Sequence, residues 1–230
     1  MFTSLKNKYL LNYYYELIKA TTGDVKAQTK IASWTYYGTC NGLRNKKLSL
    51  EWYKIAASNN DVESTYIVGK ILYFDKGNLN DRSEGIKYIK RAALKNNVEA
   101  NSAMGYILEN KENLSAAFKY FMKAAKAGDL DSEYKVAFYY LLGLGVKKNI
   151  TKAKEWAQKA AEKKSISSQN LLVNILLEAE NKLDSAEQLI NNILKQKPRN
   201  SIYIDTYGTV LLKQKKYNDA LEKFLLKIHL

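Results

Sequence analysis

The stretch Trp52-Tyr53-Lys54-Ile55-Ala56-Ala57 returns three times, as Tyr88-Ile89-Lys90-Arg91-Ala92-Ala93, as Tyr120-Phe121-Met122-Lys123-Ala124-Ala125 and as Trp156-Ala157-Gln158-Lys159-Ala160-Ala161. The second alanines stand at 57, 93, 125 and 161, so the steps are 36, 32 and 36 residues. A fixed step of this size marks a stacked array of small units, each burying its apolar face only against its neighbours. An aromatic residue four positions before a small one lies one helical turn above it on the same face. The ring fills a groove, and the alanines let a neighbouring helix backbone come close. The pattern is a rule for packing helix on helix, and it specifies a long surface rather than a reaction.

Composition agrees. The chain has 230 residues, 46% of them hydrophobic, with one proline and eleven glycines, so helix breakers are few and the reading is all-α. An array removes the choice between one and two ordinary domains and predicts a single elongated solenoid. The formal charge is 37 − 23 = +14. Most of it is lysine spread over every helix, and arginine occurs only at Arg44, Arg82, Arg91 and Arg199. Bidentate phosphate and base contacts favour arginine. A solvated lysine-rich surface therefore comes first, an acidic protein partner second, and nucleic acid or another anionic surface third.

Cys40 is the only cysteine, which rules out a disulfide within the chain and makes no demand for an oxidising compartment. The apolar run after Lys6 and Lys8 is broken by Asn12 and Glu16, no small-residue cleavage pattern follows, and no stretch approaches a membrane span. A cytoplasmic location is the expectation.

Residues 4–20 predict a helix with Leu10, Tyr14 and Leu17 on one side, followed by Gly23 as its stop. It reads as the second half of a unit and serves as an N-terminal cap. Unit one covers about residues 25–60, with Gly38 closing its first helix and residues 50–58 forming its second. Unit two covers 62–97, unit three 98–128 and unit four 130–164. Unit three is short because Asn110 to Asn113 replaces a longer loop. Ala32, Gly69, Gly105 and Ala137 share one place in the first helices. Mid-helix glycine costs about 1 kcal/mol against alanine, so close backbone packing is the expected return.

Ala27-Gln28, Gly38, Leu50 and Trp52-Tyr53 through Ala56-Ala57, with Gly143-Leu144-Gly145-Val146, Ala153, Trp156 and Ala160-Ala161, resemble the Sel1-like repeat. Unit two departs from it, with Asp75 where the loop glycine is expected, and unit three lacks that loop. Beyond Lys164, Leu172, Leu176, Ala186, Ile190, Ile193 and Pro198, echoed by Ile204, Tyr207-Gly208, Leu211, Ala220 and Phe224, resemble degenerate tetratricopeptide repeats. The resemblance implies a right-handed α-α superhelix of stacked antiparallel helix pairs. It would comprise a capping helix (1–24), four Sel1-like repeats (25–164) and two tetratricopeptide-like repeats (165–230). Phe224 to Leu230 is an apolar end, which reads equally as a surface that a second copy or a partner would cover and as a frayed or truncated terminus.

Chemistry finds little footing. His229 is the only histidine and Cys40 reads as a small filler near a turn. No cluster for a metal and no Gly-rich phosphate loop occurs, so neither metal nor cofactor is expected and the chain does not read as an enzyme.

In such stacks the first helix of each unit lines a concave face. The resemblance then turns inward Thr29, Ser33, Tyr36 and Tyr37 from unit one, and Tyr66, Lys70, Tyr73 and Phe74 from unit two. Units three and four add Ser102, Tyr106 and Glu109, then Tyr134, Phe138 and Leu141. Of these, Tyr36, Tyr37, Tyr66, Lys70, Tyr73, Phe74, Tyr106, Glu109, Tyr134 and Phe138 are the candidate contacts for a protein or peptide partner. Tyrosine offers large contact area with a polar tip. The function implied is an adaptor or scaffold. The alternative is a bacterial immunity-type protein that neutralises a toxin by binding it.

Overall fold

Thirteen helices make up the described residues of the computed structural model, which are 2–39, 44–74 and 79–228, and no strand occurs among them. They are α1 (Phe2–Thr21), α2 (Val25–Tyr37), α3 (Lys46–Ser58), α4 (Val62–Phe74), α5 (Leu79–Leu94), α6 (Val98–Glu109) and α7 (Leu114–Lys126). After these come α8 (Leu130–Leu142), α9 (Ile150–Glu162), α10 (Ile166–Glu178), α11 (Leu183–Gln196), α12 (Ser201–Lys213) and α13 (Tyr217–Ile228). The fold is all-α, built from consecutive helix pairs. Cys40, Asp75 and His229 lie outside the described residues.

Short polar residues start these helices. The carboxylates of Asp24, Asp61 and Asp129 and the side-chain oxygen of Asn97 accept from the backbone N–H three residues on, at 2.7–2.9 Å. Asn45, Asn113 and Asn149 do the same for α3, α7 and α9. Each cap satisfies a donor that the helix itself leaves open and contributes about 1 kcal/mol. The Asn45 cap explains why α3 begins at Lys46, four residues before the Leu50 that the apolar pattern marks. Asn149→Ala should lower the denaturation midpoint by an amount worth about 1 kcal/mol, read by urea titration of helical circular dichroism.

The chain divides into two compact units, residues 1–104 and 105–230. In the first, α1 packs on α2, α2 on α3, α3 on α4 and α4 on α5. In the second, each helix from α7 to α13 packs on the next, and α10 also touches α8 and α12.

The buried column in the second helices holds Tyr53, Ile89, Phe121 and Ala157, one residue after the expected aromatics Trp52, Tyr88, Tyr120 and Trp156. Those four rings are only half-buried. Facing the buried column stands the small-residue position of the first helix. A Cβ on Gly69 would lie 2.7 Å from the Ile89 backbone nitrogen and 2.8 Å from the Gly85 carbonyl oxygen, so two backbones meet there, as the sequence implied. A Cβ on Gly105 would lie 2.5 Å from the Phe121 ring, and one on Gly208 2.5 Å from the Phe224 ring. At these two sites the glycine makes room for a ring rather than for a backbone.

In α1 the expected packing side is partly wrong. Leu17 packs inward with Tyr13 and Ala20 against Ala27 and Ile31, whereas Leu10 and Tyr14 are exposed. Glu16 takes an inward place instead and pairs with Lys30 at 2.6 Å.

Candidate functional site

Six of the ten candidate contacts lie in the first unit, and five of them line one cavity of about 380 Å³. α2 ends in Tyr36 and Tyr37, and Gly38 in the left-handed region stops the helix there. α4 runs alongside and presents Tyr66, Lys70 and Phe74, spaced so that they share a face. Tyr53 of α3 closes the floor, and Glu63, Ile67, Ile71 and Glu99 complete the wall. The two rim rings, Tyr37 at 67% and Phe74 at 63%, are largely bare. Each is held edge-on by its neighbour: Tyr36 on Tyr37 at 5.0 Å and Tyr73 on Phe74 at 4.8 Å. Tyr73, the sixth candidate, therefore braces the rim without lining the cavity.

Charge here is mixed. Glu63 accepts from Asn97 Nδ2 at 3.0 Å. Arg44 donates to the Tyr36 carbonyl at 3.1 Å, and both Arg44 and Lys46 lie 5.7 Å from the centre of the Tyr36 ring. Burial pushes the Tyr53 phenol up, opposed by its hydrogen bond with Ser33. The floor hydroxyl thus stays protonated and neutral at physiological pH, able to donate to a bound group.

The other four candidates lie in the second unit, where Tyr106 is exposed and Glu109, Tyr134 and Phe138 are half-buried. Glu109 accepts from Tyr139 Oη at 2.9 Å and from Lys135 Nζ at 2.8 Å. The Lys135 ammonium sits 5.0 Å from the centre of the Tyr106 ring, which is edge-on to Phe121 at 5.0 Å. Tyr134 and Phe138 stack at 6.1 Å. Sequence reasoning placed Glu109 on the surface because Tyr139 and Lys135 lie 30 and 26 residues away, on a different helix.

Burial, then the nearby Asp131 and Asp129, pushes the Tyr106 phenol up to about 12, and burial with the Glu109 hydrogen bond raises Tyr139 as well. Both folded values exceed the unfolded value of about 10. The stability they contribute is fully present below pH ~10 and drains as pH rises toward 12. Alkaline titration of tyrosinate absorbance should therefore show part of the 18 tyrosines ionising late and together with loss of helix. Smooth titration of all of them near pH 10 would contradict the burial.

Among the described residues no group of His, Cys, Asp and Glu could hold a metal ion, and no helix is long and apolar enough to cross a membrane.

The Sel1 repeat model matches residues 25–61, 62–97, 98–129 and 130–165. The fold is similar to that of a Sel1 repeat protein from Oxalobacter formigenes, at TM-score 0.66 and 21% identity over 87% of this chain and 89% of that one. It is also similar to a protective antigen of uropathogenic Escherichia coli strains displaying an SLR fold, at TM-score 0.68 and 20% identity. That match covers 94% of this chain and 56% of the antigen. A third likeness, at TM-score 0.59 and 19% identity over 77% of this chain and 91% of the other, is to YrrB, a TPR protein with an unusual peptide-binding site.

Proposed function

The chain belongs to the Sel1 repeat family, and from that premise we propose that it is a non-enzymatic adaptor that captures an extended segment of a partner protein in the cavity between α2 and α4. The observation that carries this reading is the pair of bare rim rings, Tyr37 and Phe74, above a tyrosine floor. Large aromatic surface left in water beside a cavity is the usual makeup of a binding hot spot. Each ring is braced by a second ring, so little side-chain entropy is lost on binding.

The preferred segment carries a large apolar or aromatic side chain for the cavity and polar groups of both signs beside it. The net charge of +14 points to an acidic partner, but at the cavity Glu63 and Glu99 face the single ammonium of Lys70. Acidity of the partner therefore acts away from this site, through long-range steering. Tyr106 and Glu109 are assigned to structure. The tetratricopeptide-like helices α10 to α13 extend the same helix-pair packing.

Selection from a random-peptide display library should enrich sequences with a recurring aromatic or long apolar residue. Their affinity for a Tyr37→Ser/Tyr66→Ser/Phe74→Ser variant should fall by about 100-fold or more, with helicity unchanged. Enriched peptides that bind the variant as well as the parent would remove the cavity from the account.

A further inference from the structure

The outward face of α1 departs from the rule that its own array sets. Ala20 stands in register with Ala57, Ala93, Ala125 and Ala161. In that register Leu10 and Tyr14 fall where α3 carries Lys47 and Glu51 and α7 carries Ser115 and Lys119, all exposed, and α5 and α9 are polar and exposed there too. At those two places only α1, among these five helices, is apolar, whereas the Leu11, Tyr15 and Ile18 places are also apolar in α3, as Leu48, Trp52 and Ile55. Leu11, Tyr15 and Ile18 widen the patch, with Leu11 73% and Ile18 63% exposed. Spacings of four along the helix make it one continuous stripe.

The charge on α1 is of one sign. It carries Lys6, Lys8 and Lys19, and its one acid, Glu16, is turned inward and bound by Lys30 at 2.6 Å. Lys19 Nζ lies 5.1 Å from the centre of the Tyr15 ring, so a cation and an aromatic edge share the face. A second copy is a poor occupant, because it brings the same lysines and a net charge of +14. An anionic bilayer complements both features. Leucine and isoleucine enter the boundary between headgroups and acyl chains, tyrosine suits the headgroup level, and each lysine gains from the negative surface potential.

We propose that the Leu10–Tyr14–Ile18 face of α1, with Leu11 and Tyr15, is a docking site for an anionic phospholipid surface, on which the helix lies in the plane of the membrane. The site is separate from the cavity between α2 and α4 and does not depend on it.

The full chain should sediment with phosphatidylcholine vesicles containing about 30% phosphatidylserine at ~50 mM salt, bind pure phosphatidylcholine at least ~10-fold more weakly, and be released near 500 mM salt. A Leu11→Ser/Tyr15→Ser/Ile18→Ser variant should lose about 10-fold or more of the partitioning while keeping its helical circular dichroism. A Lys6→Glu/Lys8→Glu variant, which leaves the apolar stripe whole, should lose a similar amount. A Leu221→Ser/Leu225→Ser/Leu226→Ser variant removes exposed apolar groups of α13 and should bind as the parent does. No sedimentation at low salt, or equal sedimentation of the α1 serine variant, overturns the proposal. So does a solution mass above the monomer that drops only in the α1 serine variant, which would assign the face to a second copy.

Discussion

Phe121→Ala is expected to cost about 3–5 kcal/mol, read as a lowered denaturation midpoint for the loss of helix. Phe121 is wholly buried, its ring edge-on to Tyr106 at 5.0 Å and to Tyr139 at 5.7 Å. Its other side lies where a Cβ on Gly105 would stand, at 2.5 Å. Removing the ring opens a cavity that α6 and α7 cannot close without shifting the neighbouring pairs. The same geometry makes a prediction about coupling. Gly105→Ala alone should destabilise by 1 kcal/mol or more, because the ring is hemmed in and cannot move aside. In the Phe121→Ala background the same change meets an empty site and should be close to neutral or favourable. Additive effects of the two substitutions would mean that glycine and ring do not share one space.

Replacing Lys159 and Lys163 together by methionine is expected to cost about 3 kcal/mol or more. Both ammonium groups reach Glu133 Oε1, at 3.1 and 2.8 Å, and the Glu133 side chain is wholly buried, its Oε2 without a hydrogen-bond partner in the described structure. The lysines themselves are more than a third exposed. Either alone should matter little, about 1 kcal/mol or less, since the other still neutralises the carboxylate. Losing both strands a charge in the core. Methionine keeps the apolar stem, so the loss isolates the charge. Adding Glu133→Gln to the double variant should restore most of the stability. No recovery would show that the lysines act through packing.

Glu133 also shows why parts of the fold were legible in the sequence and parts were not. It stands in register with Gln28, Thr65 and Asn101, all nearly fully buried. These are polar side chains of four different kinds, so no hydrophobic pattern marks the column. Each finds a different partner: Gln28 donates to the Ala20 carbonyl at 3.1 Å, Arg91 reaches Thr65 at 3.4 Å, and Asn101 donates to the Asn97 carbonyl at 2.8 Å. The Ala-Ala echoes were readable because both small residues and their spacing recur. The buried column at Tyr53, Ile89, Phe121 and Ala157 was not, because its residue type changes from unit to unit. The capping residues Asp24, Asp61, Asn97 and Asp129 follow the repeat step and carried a usable signal that the aromatic pattern overshadowed.

The candidate contacts divide for a physical reason. Tyr37 and Phe74 end their helices, where no later turn covers them, and so remain bare. Glu109 occupies the place of Tyr36 and Tyr73 in its own helix, but a lysine and a buried tyrosine on α8 claim its carboxylate. Composition and spacing alone could not separate these two fates.

The most direct test of the account is a photo-crosslinking residue placed at Tyr66 on the cavity wall and, in a separate protein, at the exposed Glu51 on α3. With both proteins expressed in the native cell, the account predicts one discrete covalent adduct from the Tyr66 position, absent from the Glu51 position and abolished when Tyr37 and Phe74 are changed to serine. The same adducts from both positions, or an adduct from Tyr66 that survives loss of the rim rings, would contradict it.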